Sequence, residues 1–311
     1  MDRAGTVSDD KCFNRFLWLF VLSYYVLVWS NFGLKFACAF SISMLTGLFL
    51  SFFSKKDKQF GWQLFLLFPM FYSLALPLWV IPPVLLLAYL VSCSAFGGYE
   101  KRIFCPVVVS VVVAFCGYSY TAAFNASRPM ETGKAFLVYS SGMPAFKPVW
   151  KIYQTIPQSV VIKASIAGKC PSVLGAYRGG ILLVASFLFA FVFKRKLVWL
   201  FSNCMFVAIF STFFSKLGLN QSFYPLIFGL VPLLLFVGIC DNKSLENNKT
   251  EEFVSAFVFS VFAIMFTFKT ENPFLPVFSY LLMQILTPFI LDIINALKPR
   301  MENNGEKNGK Q

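Results

Sequence analysis

Long apolar runs separated by short charged connections make up nearly the whole chain, and that pattern leaves few folds open to it. The runs are Phe13–Trp29, Phe32–Phe53, Phe60–Trp79, Val80–Phe96, Ile103–Phe124, Ile181–Phe193, Leu197–Phe214, Phe223–Ile239, Phe253–Phe268 and Phe274–Leu297. Most approach the ~20 residues that a straight helix needs to cross the hydrocarbon of a bilayer. Composition agrees: 58% of residues are hydrophobic and only 13% charged, where a soluble domain has about half and about a quarter. The 40 phenylalanines suit lipid-facing and helix-packing positions alike. The expected fold is therefore an all-α polytopic membrane protein of about ten transmembrane helices.

The basic residues supply an orientation. With the amino terminus inside and ten crossings, the inner connections and tails hold 17 of the 27 Lys and Arg residues, and the short outer connections hold only Lys35, Lys216 and Lys269. The remaining seven lie in one long hydrophilic interval, residues 125–179. Long loops cross membranes largely regardless of charge, so those seven do not count against the arrangement. Both termini are expected in the cytoplasm and the interval outside. The chain then divides into a first five-span half (1–124), the extracytoplasmic loop (125–179), a second five-span half (180–297) and a disordered tail (298–311).

An odd number of spans per half would make a duplicated chain a pair of inverted repeats. A faint likeness supports one: Phe96-Gly97-Gly98-Tyr99 through Phe104-Cys105-Pro106 against Leu217-Gly218-Leu219-Asn220 through Phe223-Tyr224-Pro225. Pro77, Pro82 and Pro83 mark a corner between the third and fourth runs, where a helix breaks or bends.

Several function classes fall away. The chain has no histidine, so a His-dependent catalytic triad is excluded, and no catalytic residue is assigned. The eight cysteines include no Cys-x-x-Cys pair and lie mostly inside apolar runs, which is not the pattern of a metal site or a disulfide framework. The net charge of +13 is spread as punctuation between runs, so the partner it implies is a bilayer surface and not nucleic acid. Asp2, Asp9 and Asp10 precede a first run without a small-residue cleavage site, so no cleavable signal peptide is expected. Asp292 is an ionisable group near the end of the last run. It is read either as part of an ion path or as an interfacial carboxylate near Lys298.

Four stretches, in order, resemble one membrane family. Ser94-Ala-Phe-Gly-Gly-Tyr-Glu-Lys-Arg-Ile-Phe-Cys-Pro106 is similar to its Phe-Gly-Gly turn ending in Phe-Asn-Pro. Leu76-Pro77-Leu78-Trp79 with Pro82-Pro83 resembles its Pro/Trp-rich corner, and Gly168-Lys-Cys-Pro171-Ser-Val-Leu174-Gly175 its second glycine turn. Asn272-Pro273, Tyr280-Leu-Leu-Met-Gln284 through Asp292 and Lys298-Pro299-Arg300 resemble its last helix and tail. The family is NqrB/RnfD, whose members are membrane components of the sodium-pumping NADH:quinone reductase and of the Rnf electron-transport complex. The likeness spans about residues 60–300. It implies a bacterial inner membrane, an ion-translocating complex driven by NADH, partner membrane subunits, and flavin mononucleotide (FMN) held or scaffolded by the chain. The flavin contacts it implies are Gly97, Gly98, Ser141, Gly142, Gly168 and Gly175. On the residues alone, Gly97-Gly98 is either a close approach to a flavin ring or a tight turn.

The departures matter as much. The family esterifies FMN to a threonine in a serine-glycine-alanine-threonine motif. Here the place reads Ser140-Ser141-Gly142-Met143-Pro144, and Pro144 has no hydroxyl to esterify. Any FMN is then non-covalent. Cys105 replaces asparagine before Pro106, and Asp241-Asn242 stands for an aspartate-proline pair. A stand-alone transporter or channel of the same fold, without redox work, remains the alternative.

The topology is testable with reporters. One fused after Gln311 should read cytoplasmic and one inserted at Lys151 extracytoplasmic; the opposite reading at either place overturns the ten-span orientation.

Overall fold

The computed structural model of the chain describes residues 3–53, 62–72, 76–123, 158–167, 178–215, 222–227, 229–241, 249–269 and 275–308. Among them every element is helical: α1 (Arg3–Phe32), α2 (Leu34–Phe53), α3 (Trp62–Phe71), α4 (Ile81–Ser92), α5 (Pro106–Ala123), α6 (Gln158–Ala167), α7 (Gly179–Val192), α8 (Leu197–Ser215), α9 (Tyr224–Ile227), α10 (Val231–Cys240), α11 (Lys249–Lys269) and α12 (Pro276–Asn308). Six helical stretches among the described residues are long and apolar enough to cross a membrane: Cys12–Ser30, Leu34–Phe52, Leu78–Phe96, Leu197–Phe214, Lys249–Lys269 and Pro276–Ala296. This is an α-helical, multi-pass membrane architecture.

The expected third and eighth runs differ from plain spans. The third contracts to α3, and the eighth is split into α9 and α10 around Gly229, whose φ is +73°. At 10 residues each, α3 and α10 are about 15 Å long, half the hydrocarbon thickness. Both are enclosed by protein: Leu64 to Phe71 of α3 and all of α10 are buried. The longer helices stand around them and present Leu19, Phe52, Phe213 and Phe289 outward. Two smaller differences concern the connections. The interval 125–179 contains the helix α6, and residues 298–308, expected to be disordered, continue α12 as helix.

The shortness of α3 is explained by Pro69 inside it. A proline has no N–H for the carbonyl four residues back and crowds it. That carbonyl, of Phe65, accepts instead from the Ser43 hydroxyl of α2 at 2.8 Å. The next carbonyl, of Leu66, accepts from the buried Tyr25 hydroxyl of α1. Neighbouring helices thus satisfy a backbone that lipid could not.

The packing follows the same scheme on both sides of the interval. In the first half α1 packs on α2 and α3, α2 on α3 and α4, and α5 on α3 and α4. In the second, α7 packs on α8, α9 and α10, α8 on α9 and α11, and α12 on α10 and α11. Small residues let α11 approach its neighbours: Ala256, Ser260 and Ala263 are all buried. Across this contact the Ser260 hydroxyl donates to Asn203 Oδ1 at 2.9 Å.

Gly238 in α10 is packed tightly, since a Cβ there would lie 2.2 Å from the Trp199 ring. Gly238→Ala should destabilise the chain by about 1–3 kcal/mol, the usual penalty for overpacking. The loss would be read as a lower unfolding midpoint in detergent, and Trp199→Leu in the same chain should restore part of it.

Candidate functional site at the charged connections

Four segments that the sequence-based topology assigns to one side come together in the structure: the start of α3, the α4–α5 connection, the α7–α8 connection and the residue after α10. The α4–α5 connection is shaped by its glycines. Gly97 has φ +84° and Gly98 φ +123°, conformations that side chains disfavour. The Gly98 N–H returns to Cys93 O at 2.9 Å, and Lys101 N–H to Gly98 O at 3.1 Å. These two glycines make a tight turn, and its product is the placement of Tyr99 and Arg102.

Arg102 points inward. Its Nη2 meets Asp241 Oδ1 at 2.6 Å, with the two side chains 3% and 4% exposed. Its Nη1 donates to Tyr99 O at 2.7 Å, and the guanidinium carbon lies 3.7 Å from the Tyr99 ring centroid. Burial draws Arg102 down, but the Asp241 carboxylate, by its charge and its hydrogen bond, holds it above its ordinary value. Burial pushes the Tyr99 phenol up, and its hydroxyl donates to Gln63 Oε1 at 2.9 Å. The pair joins the first half of the chain to the second, 139 residues apart.

Asp241 is also approached by Lys196. The ammonium donates to Gly238 O at 2.9 Å and to Asp241 O. Lys196 is 7% exposed. Burial draws it below the ordinary lysine value, against the opposing pull of Asp241. Its backbone has φ +49°, and Lys194 nearby has φ +51°; such conformations cost about 1–3 kcal/mol each. One turn further on, Glu252 Oε2 accepts from the Trp199 N–H at 3.0 Å. A carboxylate from α11 thereby caps the amino end of α8.

Cys105 precedes α5 with Pro106 in the first helical position, the arrangement a capping residue followed by proline favours. Its N–H donates to Gln284 Oε1 of α12 at 3.1 Å. Its side chain is buried. A cavity of about 10 Å³ lies among Gln63, Leu67, Tyr99, Cys105, Cys240 and Asp241, room for about one water. Beside the glycine turn the described residues therefore enclose a water-sized space.

Of the residues assigned to a cofactor from the resemblance, Gly97 and Gly98 belong to this turn; Ser141, Gly142, Gly168 and Gly175 lie outside the described residues, as does Pro144. Asp292 is exposed on α12. Sequence reasoning treated Arg102 and Lys196 as orientation signals and gave Asp241 and Glu252 no role. No protein-family model matches the chain, and no curated protein sequence matches it.

The ion pair should behave as a coupled unit. Asp241→Ala leaves Arg102 buried without its counter-charge, a loss of about 3–5 kcal/mol, whereas Arg102→Met with Asp241→Leu should lose much less. Unfolding midpoints of the three detergent-solubilised chains check this; equal losses in single and double variants would refute the coupling.

Proposed function

We propose that this chain is a membrane-embedded subunit of a redox-driven, ion-translocating complex of the NqrB/RnfD type, working beside other membrane subunits in a bacterial inner membrane. The observation that carries the reading is the repeated packing scheme. Each half sets one short, buried, proline-bearing helix among longer ones, with corresponding neighbours. Ten spans in two inverted five-helix repeats account for that scheme, with α1–α5 answering to α7, α8, α9–α10, α11 and α12. Discontinuous helices at a repeat interface are where translocating membrane proteins keep their ion and substrate paths. Buried ionisable groups in a membrane bundle point the same way.

The redox component rests on the four resembling stretches within residues 60–300. The chain would hold or scaffold flavin non-covalently, through the loop 125–179 with Ser141, Gly142, Gly168 and Gly175, while the electron chemistry would belong to the cofactor. Stand-alone transport or channel activity on the same fold is the second reading. Pro144 in the acceptor position favours it, since a lost attachment site removes the clearest reason for redox work.

Gentle detergent extraction of the tagged chain from its native membrane tests the two. The redox reading expects other membrane subunits in stoichiometric amounts and no ultraviolet-fluorescent band at the chain's mass on a denaturing gel. Solute or ion flux by the purified chain alone in liposomes, without partners, would establish the transporter instead. A fluorescent band abolished by Ser140→Ala or Ser141→Ala would show covalent flavin and overturn the assignment of Pro144.

A further inference from the structure

The carboxyl end of α10 is unusual in what it binds. The last carbonyls of a helix have no partner within it and carry its negative end. Here that end is buried, because every residue of α10 is. Its Gly238 O and the O of Asp241, the residue that follows it, converge on the Lys196 ammonium, and Lys196 is itself more than nine-tenths buried. The lysine reaches them from the α7–α8 connection through a backbone held at φ +49°. Gly238, without a Cβ, keeps the Trp199 ring against the helix at this same level.

Buried carbonyl oxygens at the carboxyl end of a short membrane helix are of the kind with which membrane proteins coordinate monovalent cations. We propose that the carboxyl end of α10 is a monovalent-cation site, which Lys196 fills with a tethered ammonium. A free alkali cation, sodium or potassium, takes the same oxygens when the ammonium is removed. Charge supports one positive unit at this point. Asp241 and Glu252 are balanced by Arg102 and Lys196, so a monovalent cation keeps the cluster neutral where a divalent one would not. The two oxygens belong to none of the residues with implied flavin contacts, and the occupancy of the site can be read without any transport or redox assay.

The experiment uses the full chain in detergent, with wild type, Lys196→Ala and Lys196→Met. Unfolding midpoints are measured in sodium, potassium and N-methylglucamine chloride at equal ionic strength. Wild type should unfold at the same temperature in all three. Lys196→Ala vacates the space and should unfold lower in N-methylglucamine, regaining at least half of the loss in sodium or potassium with a saturable dependence. Lys196→Met removes the charge but keeps the volume filled, and should be destabilised equally in every salt. A Lys196→Ala midpoint that does not depend on the cation overturns the proposal. So does a Lys196→Ala chain that fails to fold in sodium and potassium while Lys196→Met folds. Equal recovery of both variants would show a general salt effect and would also refute the site.

Discussion

A peptide backbone broken in the middle of a membrane bundle has to find its hydrogen bonds in protein, because lipid offers none. This constraint organises the molecule. The helices α3 and α10 both stop short of crossing, and both lie inside a ring of longer helices. The Phe65 carbonyl that Pro69 frees is taken up by Ser43, the Leu66 carbonyl beside it accepts from Tyr25, and Lys196 takes up carbonyls at the carboxyl end of α10. These polar residues of the interior thus follow from where short helices break and end inside the bundle.

Once Lys196 is drawn inside, the rest of the charged cluster follows. An ammonium taken out of water needs compensation, and Asp241 beside it supplies a carboxylate. Asp241 in turn is held by Arg102, delivered by a turn that only glycines at 97 and 98 allow. Glu252 completes the balance and spends its oxygen on the amino end of α8. Left-handed backbone at Lys194 and Lys196 persists because the contacts on either side over-determine it. Pairs of this kind add little net stability over apolar packing, but separating them in place is expensive.

The membrane architecture was legible in the alternation of apolar runs and charged connections, since hydropathy over such lengths reports burial in lipid directly. The interruption of the third run was less so. Pro69 lies within a run whose hydropathy is uninterrupted, and its effect depends on Tyr25 and Ser43 lying close enough to take up the freed carbonyls. The split in the eighth run was signalled by Gly229 and by Pro232, which opens α10. The cluster was hidden for a related reason. Lys and Arg at the ends of inner connections read as orientation signals, and nothing in the local pattern separates Lys101, exposed, from Arg102, buried. One clue was available. Asp241 is a lone acidic residue directly after an apolar run, on the same expected side as Arg102 and Lys196. That parity alone makes their meeting permissible.

The two short helices are met with different chemistry. Neutral hydroxyls hold the middle of α3, at Phe65 O and Leu66 O, and an ammonium holds the carboxyl end of α10. A neutral hydrogen bond between membrane helices contributes about 0.6 kcal/mol on average, so loosening α3 from Tyr25 and Ser43 is a small step. Withdrawing Lys196 or parting Arg102 from Asp241 separates charges in a low dielectric and costs several kcal/mol. Of the two short helices, α3 is then the readily remodelled one, and the carboxyl end of α10 holds its shape until a cation, or another charge, substitutes for what leaves.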